Sequence, residues 1–154
     1  MEPPRARTPQ AVLFACAFNA VRSPMAESLL QNMFPQALYV RSAGVRKGDL
    51  DPFAVAVMAE LGQDISKHRP MTFEDLDDWE GLNFDLIISL SPEAHHKALE
   101  LTRTMAVEVE YWPTQDPTTV EGNREQKLEA YREVCDGLAL RIRKRFARGG
   151  AASG

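Results

Sequence analysis

Cysteine is scarce in this chain and occurs in no paired motif. Two cysteines, Cys16 and Cys135, stand far apart among 154 residues. Neither belongs to a Cys-x-x-Cys pair, which argues against a disulfide framework and against a zinc site. We therefore expect a protein without metal that works in a reducing compartment, the cytoplasm.

Long apolar runs and an excess of positive charge are also missing. No apolar run approaches the ~20 residues that a membrane-spanning helix needs, and residues 1–10 lack the apolar stretch of a signal peptide. The formal net charge of −4 argues against binding nucleic acid by bulk neutralisation of its phosphates. It leaves room for a small basic pocket that holds one anion. We expect neither a membrane nor a nucleic acid as partner.

What the sequence contains is an alternation of strand and helix patterns. The length suits one domain, which we predict over residues 11–147, with a flexible tail at 1–10 and a disordered tail at 148–154. Buried-strand patterns cover residues 11–16, 37–44, 84–91 and 106–112. Helix patterns start at Ser23-Pro24, Asp51-Pro52, Ser91-Pro92 and near Arg124. The alternation predicts an α/β fold, a three-layer, doubly wound, four-stranded parallel sheet with helices on both faces.

The segment after the first strand has the residues of an anion site. Cys16 ends that strand, and Arg22 and Ser23 precede the first helix. Ligands of such sheets bind beyond the carboxyl ends of the strands, where loop N–H groups and the helix dipole favour an oxyanion and a thiolate. Arg22 suits bidentate anion binding, and Ser23 either caps the helix or donates to the sulfur. Cys135, on the apolar face of the last helix, is predicted to be core.

These motifs resemble the low-molecular-weight protein tyrosine phosphatase family, whose superfamily includes thioredoxin-linked arsenate reductases. The resemblance rests on "CAFNAVRSPMAE", "VRSAGV", "DISKHRP" and "QDPTT", and it spans nearly the whole chain. It implies a phosphate-binding loop after the first strand, composed of Ala17, Phe18, Asn19, Ala20, Val21, Arg22 and Ser23. It further implies Cys16 as nucleophile, Arg22 as anion clamp and Asp116 as general acid, with Ser42 and His68 supporting the loop.

The implied chemistry is hydrolysis of a phosphate monoester through a cysteinyl-phosphate. It requires no cofactor, because arginine and backbone amides stabilise the charge. The implied partners are a phosphotyrosine protein or a small aryl phosphate, with inorganic phosphate as a competitive ligand. Asn19 is expected in a left-handed conformation, which asparagine tolerates better than most residues.

The sequence departs from the family pattern around the pocket. Phe18 replaces the usual glycine, Val21 replaces a second cysteine, and Thr118-Thr119 stand where tyrosines are common. Aromatic contact with a substrate ring would then come from Phe18, Phe73, Trp79 or Trp112. Exposed aromatics near the pocket are also compatible with a weak homodimer.

Three functions are compatible with these residues, and a phosphatase is the one we favour. An arsenate reductase would need an external thiol. The thioredoxin-linked enzymes carry two more cysteines on a mobile segment near the third strand, and the segment "LIISLSPEAHHK" has no cysteine. A catalytically weak phosphate-binding module is the third, suggested by Phe18 and the missing tyrosines. The presence of Asp116 argues against it, because a binding module needs no acid.

Overall fold

The computed structural model describes residues 9–35 and 38–146. In chain order the elements are β1 (Ala11–Cys16), α1 (Arg22–Met33), β2 (Tyr39–Gly44), α2 (Pro52–Glu60), α3 (Phe73–Glu80), β3 (Leu86–Ser89), α4 (Pro92–Leu101), β4 (Glu108–Tyr111) and α5 (Arg124–Phe146). A short 3-10 helix, Pro117–Thr119, lies between β4 and α5. No helix within the described residues is long and apolar enough to cross a membrane.

The strands form one parallel sheet in the order β2-β1-β3-β4. Side chains alternate between its faces. Val12 and Phe14 pack with apolar residues of α1, α2 and α5, whereas Leu13 and Ala15 pack with those of α3 and α4. The predicted three-layer, doubly wound fold is therefore confirmed.

The strand order places a binding site at the end of β1. The chain adds β2 on one side of β1 and then crosses to add β3 on the other. The order thus reverses at β1, and such a switch point opens a crevice at the carboxyl ends of the strands. Cys16 is the last residue of β1.

Local signals explain most helix starts. The Asp51 carboxylate accepts from Phe53 N at 2.8 Å, and Ser91 Oγ accepts from Ala94 N at 3.2 Å. Helix α3, which the sequence patterns did not reveal, begins at a capping box in which Thr72 and Asp75 each accept from the other's backbone N–H. Its apolar residues Phe73, Leu76 and Trp79 do recur three residues apart, but eight residues form barely two turns.

The first helix begins differently from the prediction. Val21 occupies the N-cap position and makes no side-chain cap, so of the two roles predicted for Ser23 the capping role is wrong, and contact with the sulfur is the one observed. The N-cap lies two residues earlier than predicted, and the Ser23 hydroxyl lies against the Cys16 sulfur instead.

The remaining differences concern the ends of elements. Strands β3 and β4 are shorter than their apolar runs, and β2 begins at Tyr39, while residue 37 lies outside the described part. The predicted tails fall mostly on residues 1–8 and 147–154, also outside it. Gln10 is tied to the sheet, since its N–H donates to Asp85 Oδ2 at 3.0 Å and its carbonyl accepts from Tyr39 N at 2.9 Å.

Candidate active site

The loop of residues 17–21, here called the phosphate loop, turns its carbonyl groups outward. The carbonyls of Ala17 and Phe18 accept from Arg46 N (2.8 Å) and Gly48 N (3.1 Å), and that of Ala20 accepts from Asp51 N (3.2 Å). Within residues 9–35 and 38–146, no hydrogen bond joins a backbone N–H of residues 18–21 to a protein acceptor. The loop therefore presents several unused donors in one concavity, which suits a tetrahedral oxyanion.

Asn19 holds this loop from inside. It has a φ of 56° and is fully buried. Its Oδ1 accepts from Met71 N at 2.9 Å, which fixes the orientation of the amide because a backbone N–H needs an oxygen acceptor. Nδ2 then donates to Ser23 Oγ and to Ser42 Oγ, each at 2.9 Å.

The same amide contacts the Ser23 hydroxyl, which adjoins the Cys16 sulfur. Ser23 Oγ already accepts from Asn19 Nδ2, so its own hydrogen is free for Cys16 Sγ, 2.9 Å away. Both side chains are buried. A hydroxyl aimed at sulfur stabilises a thiolate, either as nucleophile or as leaving group.

A partly buried acid–imidazole pair, Glu27 and His68, lies next to Asn19. His68 Nε2 is 3.0 Å from Asn19 Oδ1, so Nε2 carries the proton, and His68 Nδ1 lies 3.8 Å from Glu27 Oε1. Ser42 donates to the same Glu27 oxygen at 2.5 Å. Burial raises the pKa of Glu27 and lowers the pKa of His68. Both groups are therefore biased toward their neutral forms. The contacts of Glu27 with Ser42 and His68 were not predicted from the sequence.

Arg22 and Asp116 meet at the opening of the loop. Arg22 Nη1 donates to Thr114 O at 2.9 Å, while its Nη2 lies 4.0 Å from Asp116 Oδ2. Thr118 donates to Asp116 Oδ1 from both its N–H (3.0 Å) and its hydroxyl (2.7 Å). These donors occupy Oδ1, whereas Oδ2 accepts no hydrogen bond from the described residues.

Cys16, Arg22 and Asp116 line one cavity of about 230 Å³. Asp49 and Asp51 line it too, and neither was expected there. Asp51 received only a capping role in the sequence analysis, which the structure confirms, but it also accepts from Tyr131 OH at 2.6 Å. That contact joins α5, 80 residues away, to the pocket wall, and no local pattern signals it.

Of the four aromatic candidates, only Phe18 lines this cavity. Phe73 and Trp112 are buried in the two cores, Trp112 in an edge-to-face contact with Phe14. Trp79 is 72% exposed and lines a different depression. Phe18 is 45% exposed, and Gly48 supports it, because a Cβ at position 48 would lie 3.2 Å from Phe18 Cβ.

The second cysteine lies away from the site. Cys135 is buried in α5 with its Sγ 3.7 Å from Met58 Sδ, and burial raises its pKa to about 11. The predicted core role of Cys135 is thus confirmed. Among the described residues, no cluster of histidine, cysteine and carboxylate side chains is arranged to hold a metal ion.

The fold and the loop define a class of protein, a doubly wound α/β protein with a buried cysteine at the end of β1 and, after it, a loop whose free N–H groups suit an oxyanion. The family model for low molecular weight phosphotyrosine protein phosphatase matches residues 11–148. The chain belongs to that family, as its motifs predicted.

Among relatives, an arsenate reductase from Bacillus licheniformis is 36% identical over 140 residues, covering 90% of this chain and 96% of the relative. A solved structure of an arsenate reductase in the phosphate binding state is 27% identical, with a TM-score of 0.68 and coverage of 90% and 98% of the two chains. A tyrosine phosphatase of Erwinia amylovora shares the fold at 19% identity, with a TM-score of 0.70 and coverage of 91% and 92%.

Proposed function

We propose that this protein is a phosphatase that hydrolyses aryl phosphate monoesters, phosphotyrosine among them, through a cysteinyl-phosphate. The observation that supports this most is the meeting of a nucleophile, an anion clamp and a carboxyl acid, Cys16, Arg22 and Asp116, on one small cavity. The acid distinguishes a hydrolase from a binding module, since binding alone requires no proton donor.

The first step is transfer of the phosphoryl group to sulfur. The N–H groups of residues 17–22 and the Arg22 guanidinium hold the non-bridging oxygens while Cys16 Sγ attacks phosphorus in line. The S–P bond forms, the P–O bond to the phenol breaks, and Asp116 Oδ2 gives its proton to the departing oxygen.

The second step releases phosphate. The Asp116 carboxylate takes a proton from water, whose oxygen attacks phosphorus, and the S–P bond breaks to return the thiolate. The Ser23 hydroxyl, 2.9 Å from Sγ, stabilises the departing sulfur. Inorganic phosphate is therefore both product and competitive ligand.

Phe18 is the aromatic side chain placed to contact the substrate ring. It stands at the cavity wall and takes over the contact that the missing tyrosines would make, which Thr118 and Thr119 cannot supply. The cytoplasm suits this chemistry, since both cysteines are free thiols and a reducing compartment keeps the nucleophile intact.

Arsenate reduction with an external thiol is a second candidate, supported by the names of relatives such as the Bacillus licheniformis enzyme. Cys16 would displace an oxygen of arsenate to form an S–As bond. An external thiol would then attack Cys16 sulfur, giving a mixed disulfide while As(V) leaves as As(III), and a second thiol would restore Cys16. The external thiol is necessary because Cys135, the other cysteine of the chain, is buried in α5.

The test is steady-state hydrolysis of p-nitrophenyl phosphate in metal-free buffer by wild type, Cys16→Ser and Asp116→Asn. We expect no turnover by Cys16→Ser and a loss of about 10²–10⁴-fold in kcat for Asp116→Asn, the range for a general acid. Parallel assays supply arsenate with glutathione or another low-molecular-weight thiol and measure arsenite.

The outcomes separate the three functions. Arsenite formation without phosphate release would replace the phosphatase by the reductase. If neither reaction occurs while inorganic phosphate still binds, the protein is a phosphate-binding module and the proposed hydrolase is wrong.

A further inference from the structure

A second depression opens beside the catalytic cavity. It consists of two adjoining cavities of about 320 and 370 Å³ that share Arg69, Met71 and Trp79, and we call it the Trp79 groove. Lys47 lines the groove, whereas the next residue, Gly48, lines the catalytic cavity. Because consecutive Cα atoms are ~3.8 Å apart, the groove and the catalytic cavity adjoin at this segment of the chain.

The groove has an apolar platform. Trp79 is 72% exposed, the most exposed of the large apolar side chains in the described residues. It belongs to α3, whose Phe73 and Leu76 are buried in the core. Pro70 and Met71 line the groove next to it. A rigid, exposed indole beside apolar neighbours is typical of a contact surface for another molecule.

Around this platform the surface acidic side chains are paired with cations, whereas some of the basic side chains have no acidic partner among the described residues. The groove's surface carboxylates are already paired, Glu80 with Arg41 at 3.2 Å and Asp75 with Lys47 at 3.4 Å.

Lys67 and Arg69 form no ion pair within residues 9–35 and 38–146, and both line the groove. The remaining carboxyl, Glu27, is at the floor, where it accepts from Ser42 and burial raises its pKa. The groove therefore carries surplus positive charge in a chain whose net charge is −4.

We propose that the Trp79 groove binds an acidic stretch of a protein substrate, adjacent to the phosphorylated residue held by the phosphate loop. This rests on the proposed phosphatase function. Lys67 and Arg69 supply the charge that acidic side chains need, and Trp79 supplies a surface for an apolar residue between them. A peptide suits the site because the groove adjoins the catalytic cavity, so a segment tethered to the phosphorylated residue reaches it at high effective concentration.

The test compares two phosphotyrosine peptides of equal length, one flanked on both sides by glutamates and the other by lysines, with p-nitrophenyl phosphate as the small substrate. The variants are Lys67→Glu/Arg69→Glu and Trp79→Ala. The control is Arg103→Glu, an exposed cation after α4 that does not line the groove.

We expect the charge-reversal variant to lower kcat/KM for the acidic peptide by about five- to tenfold, the combined effect of two exposed ion pairs. Turnover of p-nitrophenyl phosphate stays unchanged, and the loss shrinks at high salt. Arg103→Glu behaves as wild type. Equal losses on all three substrates would overturn the proposal, since the variant would then act by disturbing His68, which stands between Lys67 and Arg69 and contacts Asn19.

A binding experiment keeps the inference separate from the proposed function. Cys16→Ser protein is titrated with an unphosphorylated glutamate-rich peptide while the fluorescence of exposed Trp79 is followed, with Trp79→Ala as reference. Saturable quenching supports the groove even if no phosphatase activity exists. Quenching by inorganic phosphate alone, or a concentration-dependent dimer that Trp79→Ala abolishes, would assign the groove to a small anion or to a second copy and overturn the proposal.

Discussion

Replacing Asn19 by alanine removes the side chain that holds the phosphate loop. The buried amide exchanges hydrogen bonds with four groups, Ser23 and Ser42 on Nδ2 and Met71 N and His68 on Oδ1. Each bond is worth about 1 kcal/mol net, and the orphaned Met71 N–H costs about 1–3 kcal/mol. Alanine at a φ of 56° adds about 1 kcal/mol. With the Met71 bond counted only through its orphaned N–H, we expect a loss of about 5–7 kcal/mol in the free energy of unfolding, a large share of a normal domain's stability.

Urea denaturation followed by far-UV circular dichroism measures this loss. Asn19→Gly separates the two causes, because glycine accepts a positive φ and loses only the hydrogen bonds. Asn32→Ala is the matched control, since that exposed amide donates to Ser28 O within its own helix, and we expect a change below about 0.5 kcal/mol. A loss of less than about 1 kcal/mol for Asn19→Ala would refute the bracing role of Asn19.

Two further predictions concern what supports the loop. A Cβ at Gly44 would lie 2.8 Å from Asn19 N, so Gly44→Ala should lower the free energy of unfolding by about 1–3 kcal/mol and lower kcat/KM. The control Gly137→Ala, whose Cβ would have nothing within 4 Å, should be neutral or stabilising. Equal stabilities of the two variants in thermal unfolding would contradict this. Burial lowers the pKa of His68 from 6.5, so the unfolded state binds the proton first and stability is lost as pH falls below 6.5 toward the folded pKa. As pH falls below 6.5, the melting temperature of His68→Gln should therefore decrease less steeply than that of wild type, and parallel curves would refute this. The raised pKa of Glu27 acts with the opposite sign, but it does so in both proteins and leaves the comparison intact.

The proposed reaction needs few reactive side chains. One cysteine, one arginine and one carboxyl carry the proposed reaction, and the loop N–H groups supply the remaining stabilisation at no cost in charge. Val21, in place of a second cysteine, leaves Cys16 without a neighbouring thiol for a protective disulfide. Activity should therefore depend on a reducing environment.

The amino-acid sequence by itself determined the layers of the fold and the position of Cys16, the proposed nucleophile. Strand-like runs alternating with proline-capped helices dictate a parallel sheet, because hydrophobic periodicity and capping are local properties. The place of Cys16 at the end of β1 follows from the same local logic, and the motif identifies the family. Helix α3 was missed although Phe73, Leu76 and Trp79 recur three residues apart, because eight residues form barely two turns. The choice between the two roles predicted for Ser23 needed the closed loop, in which its hydroxyl meets the Cys16 sulfur.

Tertiary structure alone decided which side chains share the pocket and which do not. Phe18 lines the cavity while Trp112 is buried, although sequence made both candidates. Tyr131 of α5 reaches the pocket wall through its hydrogen bond to Asp51, and the Trp79 groove adjoins the same cavity at Lys47 and Gly48. These relations join residues distant in sequence, so they depend on how layers pack against one another, which no local pattern encodes.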